Sequence, residues 1–398
     1  MKPILWLVPF LIFAFPSAHG KIYKCTNAKG KIEYTDSPCA NELHQQTYDN
    51  AREAIFDEKK STPVTASALR SDDITLDAFI EAVKKQAFND VRFMLSKNSG
   101  LVVAQDKNGL TPLHHAAKHA LLEMTRLLIK NGAVVDAITH AGRTPLMLVT
   151  MNGENQKEEM YHKAAEVADY LIEQGANIRA VDNNGQPVLY YTAFYGNSLV
   201  LEKLIAKGVT ASTPLKKSTA LHVAAWTGHI NVMELLIENG ANVNKSDANG
   251  QSPIYGAAWT NKLDVAKFLY NKGAKLRKWG ITPLHVAAKH GHKEVSEFFI
   301  QEGIKVNAMA ENGGPIHQAA WTGKADYIHW LIGKGADVNL QDERGNTALH
   351  TAASWNQAKV IRILLNMRAN KGLKNEQGQT ALDIAKLRQY KDIVAILK

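Results

Sequence analysis

Residues 282–292 read Thr-Pro-Leu-His-Val-Ala-Ala-Lys-His-Gly-His, and this phrase decides the fold. Thr282 can cap a helix by accepting a backbone N–H, and Pro283 suits the first helical turn. The small pair Ala287-Ala288 lets that helix approach its neighbours closely. Gly291 then ends it. In the equivalent stretch further up the chain, Val232, Leu235, Leu236 and Ile237 give a second helix with apolar residues at helical spacing. That helix ends at Gly240, suited to the left-handed C-terminal position, and the turn Asp247-Ala248-Asn249-Gly250 leads onward. One such unit cannot bury its own apolar face, so it must be stacked on copies of itself.

Copies are present. The phrase returns at Thr111, Thr144, Pro187, Thr219, Ser252, Thr282, Gly314, Thr347 and Thr380, at steps of 33, 43, 32, 33, 30, 32, 33 and 33 residues. A period near 33 carrying Thr-Pro-Leu-His is the signature of the ankyrin repeat, and residues 72–398 resemble that family. Residues 74–98 supply a first, capping unit without the phrase, which makes ten units. The last ends on a polar surface at Arg388, Gln389 and Lys391. The expected fold is mostly α, a solenoid of helix-turn-helix units.

The departures are local. About ten extra residues near Glu154 to Lys163 are expected to lengthen one second helix at its N-terminus. The hairpin before Thr282 is three residues short and carries Lys275, Arg277, Lys278 and Trp279. The hairpin before Thr219 lacks the Asp-x-x-Gly turn and carries Lys216-Lys217. Arg368 stands where other second helices end in Gly; a left-handed non-Gly residue costs about 1–2 kcal/mol, so a reshaped end is expected there.

The N-terminal part differs in kind. Lys2 precedes an apolar run from Ile4 to Phe15, and small residues follow at Ala18 and Gly20. This is the pattern of a signal peptide, residues 1–20, cleaved before Lys21. Twelve apolar residues are too few for a membrane span, which needs about 20. No later segment is long and apolar enough to span. Residues 21–43 read as a small β-hairpin domain, with strands Ile22 to Thr26 and Lys31 to Thr35 around Asn27-Ala28-Lys29-Gly30. Cys25 and Cys39 are the only cysteines, and in an oxidising compartment they should pair. Closing a loop of that length is worth about 3 kcal/mol. A half zinc site with His44 is the weaker alternative, because the spacing matches no usual pattern. Residues 44–71 are polar and aperiodic and read as a linker, with a possible helical piece from Tyr48 to Lys59.

The head resembles the DUF4124-type domain of proteobacterial envelope proteins through Ile22-Tyr23-Lys24-Cys25, Asn27-Ala28-Lys29-Gly30, Tyr34-Thr35-Asp36 and Pro38-Cys39. That resemblance implies a Gram-negative envelope location, with the periplasm first and the extracellular space as alternative.

The 398 residues are 45% hydrophobic and 21% charged, which excludes collagen-like and wholly disordered classes. A net charge of +9 permits an acidic partner without demanding nucleic acid. Most of the basic residues read as solvated faces. Nothing points to catalysis. His114, His222, His285, His317 and His350 recur at one structural position, which argues for a structural role. Phrases of the HExxH, GxSxG or P-loop type are missing, and Asp106-Lys107-Asn108-Gly109 lacks the later ligands of a calcium loop. The expectation is therefore no catalytic residue, no metal and no cofactor.

The better constellation is aromatic. Positions seven and eight after each phrase start hold Phe194-Tyr195, Trp226, Trp259, Lys289-His290, Trp321 and Trp355. The family resemblance implies that these positions face a concave groove. Repeats stack in register, so four of the seven tryptophans should form a stripe interrupted by Lys289 and His290. Trp and Tyr are over-represented at binding hot spots. The functional expectation is a monomeric, exported protein that binds a protein partner through this groove, with a charge that permits an acidic one. Alternatives within the same fold are an immunity protein against a periplasmic toxin, a secreted effector binding a host protein, or an envelope scaffold.

Overall fold

The computed structural model describes residues 22–26, 32–35, 45–48, 74–151, 158–276 and 280–398. The signal peptide at 1–20, the turn 27–30, Cys39 with the pairing expected of it, and the basic residues Arg277 and Lys278 lie outside the described residues. Contacts divide the chain into two units, Met1–Leu69 and Arg70–Lys398.

In the first unit β1 (Ile22–Thr26) pairs antiparallel with β2 (Ile32–Thr35), Tyr23 opposite Thr35 and Cys25 opposite Glu33. A third strand, β3 (Gln45–Tyr48), pairs with the other edge of β1, Ile22 opposite Tyr48. The sheet order is β2-β1-β3. Gln45–Tyr48 falls in the stretch read as linker. The run Gln-Gln-Thr-Tyr carries no apolar period, so only the pairing reveals it as a strand.

The second unit is a helical solenoid. Among the described residues twenty α-helices form ten successive pairs, from Leu76–Lys84 with Phe88–Lys97 to Ala381–Leu387 with Lys391–Leu397. Pro283–His290 and Lys293–Gln301 show how a pair is made. Thr282 is extended (φ −101°, ψ 164°) and caps the first helix; Gly291 closes it in the left-handed region at φ 79°. A cap of this kind is worth about 1 kcal/mol. The first helices pack against one another through fully buried small residues, among them Ala224, Ala225, Ala257, Ala258, Ala287, Ala288, Ala319 and Ala320. Gly256 takes the closest approach: a Cβ there would lie 3.2 Å from the backbone nitrogen of Trp226. Leucines, valines and phenylalanines of the second helices, such as Val232, Leu236, Val295 and Phe299, complete the core.

The recurring histidines tie unit to unit. His114 Nδ1 accepts the backbone N–H of Thr111 at 3.0 Å, which leaves Nε2–H to donate to the Arg143 carbonyl of the following turn, also at 3.0 Å. His222, His317 and His350 repeat the bond to Gln251, Asn346 and Gln379. This fixes the neutral tautomer, and burial holds His114 and His285 down at about 4. His285 is the exception in geometry: its Nε2 makes no such bond, and the step to the next phrase is 32 residues instead of 33. Tyr255 replaces His before the shortened hairpin, and its longer side chain donates to the Ile281 carbonyl at 2.7 Å. In the unit that runs to Lys398 the residue type changes again. Asp383 stands there, accepting from Thr380 N and Oγ1.

Two departures resolve differently. The insertion does lengthen its second helix, Glu158–Glu173, to 16 residues against 7 to 10 in the other second helices, and residues 152–157 lie outside the described part. The end at Arg368 is not reshaped. Arg368 takes φ 64°, and Ala369 N bonds Leu364 O at 2.9 Å just as Ala336 N bonds Leu331 O beyond Gly335. Packing of the next unit imposes the left-handed turn on a residue that would avoid it.

Candidate functional site

The first helices of units five to ten end on one exposed row. Trp226 is the penultimate residue of Ala220–Thr227, Trp259 of Ile254–Thr260 and Lys289 of Pro283–His290. Trp321 ends Pro315–Trp321, and Trp355 caps Ala348–Ser354. Large apolar side chains are normally drawn inward, yet Trp226, Trp259 and Trp355 remain 47%, 46% and 56% exposed. Phe194, Tyr195, Lys289, His290 and Trp321 are half-buried.

The rings are linked in two runs, one around Phe194 and Trp226 and one from Trp259 to Trp355. Phe194 lies 6.2 Å from Trp226, centroid to centroid, and stacks on Tyr190 at 5.8 Å. Phe194 meets Tyr195 edge-on. Trp321 and Trp355 are 5.7 Å apart at 57°. Between them and Trp259 sits Lys289, expected from sequence to interrupt the stripe. It bridges it instead. Its Nζ lies 4.7 Å from the Trp321 ring centre and 5.7 Å from that of Trp259, and His290 packs on Trp259 at 4.2 Å. A cation over an indole face is attracted by the ring quadrupole, so Lys289 holds two tryptophans together. Burial, then the neighbouring His292, Lys289 and Lys324, keep His290 below the ordinary imidazole range.

Four carbonyls of the row are also pinned from behind. His229 Nε2 donates to the Phe194 carbonyl (3.1 Å), His292 Nε2 to Trp259 (2.9 Å) and Gln357 Nε2 to Trp321 (3.2 Å). Thr322 Oγ1 donates to the Lys289 carbonyl at 2.7 Å. Each donor belongs to the unit after its acceptor. These residues escaped the sequence reading because His, Gln and Thr share no type, although three of them occupy one position before a second helix. Leu387 was missed as well. It is seven residues after Thr380, ends Ala381–Leu387 and is 71% exposed, so it extends the row into the last unit.

A separate cleft of about 690 Å³ lies where the lengthened helix meets the turns of the next units, lined by Glu158, Tyr161, His162, Ser198, His229 and Asn231. Among the described residues no group of three His, Cys, Asp or Glu is placed to hold a metal. No helix among them is long and apolar enough to cross a membrane.

A family model of ankyrin repeats matches residues 79–161, 158–247, 242–310 and 316–398, and a model of the domain of unknown function DUF4124 matches residues 10–66. Human Rabankyrin-5 is 26% identical over 257 residues, 56% of this chain and 22% of that protein. The mouse B-cell lymphoma 3 protein homolog is 28% identical over 265 residues, 64% of this chain and 50% of that protein. The palmitoyltransferase AKR1 of Lachancea kluyveri is 29% identical over 163 residues, 41% of this chain and 21% of that protein. The chain thus spans half or less of the length of these relatives. The human ASB11 ankyrin repeat domain covers 53% of this chain and 98% of its own at 28% identity, with a TM-score of 0.47.

Proposed function

Because the chain belongs to the ankyrin-repeat family, whose repeats imply protein–protein interaction, we propose that it is an exported, non-catalytic binding protein that captures a protein partner along the row from Phe194 to Trp355. The observation that carries this reading is the recurrence of the row. Four tryptophans, a phenylalanine and a bridging lysine stand at the first-helix ends of successive units, and the carbonyls of Phe194, Trp259, Lys289 and Trp321 are held by hydrogen bonds from the next unit. Leaving three indoles near half exposure costs solvation that folding alone gives no reason to accept, whereas Trp anchors dominate binding energy at interfaces. The basic balance of the chain suits a partner segment rich in acidic residues.

The apolar start at residues 4–15 and the match of residues 10–66 to the DUF4124 family support export, and with it a periplasmic location and a Cys25–Cys39 bond. The chain acts as a monomer. The test is capture by the immobilised protein from envelope extracts, run beside a variant with Trp226, Trp259, Trp321 and Trp355 changed to Ala. A partner retained equally by both would refute the reading.

A further inference from the structure

Cations on this solenoid fall into two groups. Four on or just after second helices are paired with a carboxylate of the preceding unit: Lys203 with Asp169 (3.1 Å), Lys272 with Glu234 (3.1 Å), Lys334 with Glu297 (2.6 Å) and Lys359 with Asp326 (3.1 Å). At the row of first-helix ends the pattern breaks. Lys289, His290, His292 and Lys324 cluster there, and among the described residues no carboxylate pairs with Lys289 or Lys324. Lys324 lies along the turn at Gly291, its Cδ 3.3 Å from where a Cβ would stand, which brings it beside Lys289 and His290. His290 Nε2 is buried with no hydrogen-bond partner. His290 stacks on His292 at 5.7 Å, and His292 is committed through Nε2 to Trp259.

Gathering like charges and an unsatisfied imidazole in a half-buried place is unfavourable unless an anion completes it. Cation–π contacts with Trp259 and Trp321 offset part of the cost. They also narrow the choice of anion. Lys289 lies over both indoles and His290 takes a further part of Trp259, which leaves less ring face for a sugar or nucleobase to stack on. A carboxylate can still approach Lys289 Nζ and Lys324 Nζ, with the buried His290 imidazole behind them, while apolar side chains lie against Trp226 on one side and Trp355 on the other.

Building on the protein-partner reading, we propose that Lys289, His290 and Lys324, walled by Trp259 and Trp321, receive the carboxylates of an acidic, extended segment of the partner. The two requirements act together: acidic residues at the centre, apolar residues flanking.

The test uses the full chain as purified and a displayed library of random dodecapeptides. Three forms are panned in parallel: wild type, Lys289→Met/Lys324→Met, and the four-Trp→Ala variant. All are first checked for one cooperative thermal transition. The expected result is peptides on the wild type that are rich in Asp and Glu and flanked by apolar residues. Their synthetic versions should bind the double Met variant about tenfold more weakly and lose affinity as salt rises. Selected peptides without acidic enrichment, or acidic peptides that bind the double Met variant unchanged, overturn this inference and leave the groove reading standing. Selection identical on the four-Trp variant overturns both. Failure to select any peptide, with retention of an anionic glycan or single-stranded DNA instead, assigns the row to another class and overturns both as well.

Discussion

His292 donates its Nε2–H to the carbonyl of Trp259, 2.9 Å away and one unit earlier. The bond matters because Trp259 lies at the end of a short helix, where the last carbonyls lack intrahelical partners. Gln357 does the same for Trp321. His292→Ala should therefore cost about 1 kcal/mol in urea unfolding and weaken partner binding severalfold. His292→Gln should restore both, since Gln already serves at the equivalent position. A Gln variant as impaired as the Ala variant would show that the amide cannot replace the imidazole there.

The buried histidines make stability depend on acid. His114 and His285 are held at about 4, and burial lowers His222, His317 and His350 as well. In the unfolded chain the same groups take up protons near 6.5. Between those values the unfolded state binds more protons, so stability falls as pH drops through the window and levels off below it. For His114 and His285 the full effect is of order 3 kcal/mol each. Urea midpoints measured between about pH 7 and about pH 4.5 should fall steadily. A midpoint flat across that range would contradict the buried, neutral assignment.

Arg368 offers a gain in stability. Its left-handed backbone, φ 64°, costs about 1–2 kcal/mol, part of which Gly would return as unfolded-state entropy. Arg368→Gly should raise stability by about 0.5–1 kcal/mol without changing partner affinity. A loss of stability would mean that the Arg side chain contributes more than its strain costs.

Much of this molecule is legible in the sequence, and the reason is repetition. Thr caps, Ala pairs and terminal Gly residues recur at a fixed period, so each copy checks the others. The single-unit exceptions are harder. Arg368 looks like a broken helix end because the pressure from the neighbouring unit is a tertiary effect. Lys289 looks like a gap in an aromatic stripe because residue type alone hides a cation–π contact on both sides. The pinning row of His229, His292 and Gln357 mixes imidazole with amide and skips units, so only the position marks it. Strand Gln45–Tyr48 lacks an apolar period and is defined by its partner strand alone.

The most direct measurement of the central claim is a calorimetric titration with the captured partner once purified. Wild type is compared with the protein carrying Trp226→Ala, Trp259→Ala, Trp321→Ala and Trp355→Ala. These side chains are partly or largely exposed, so the variant should still unfold in one cooperative transition. The account predicts a loss in affinity of at least about a hundredfold. Equal affinity in a folded variant would contradict it and move the binding surface elsewhere on the solenoid.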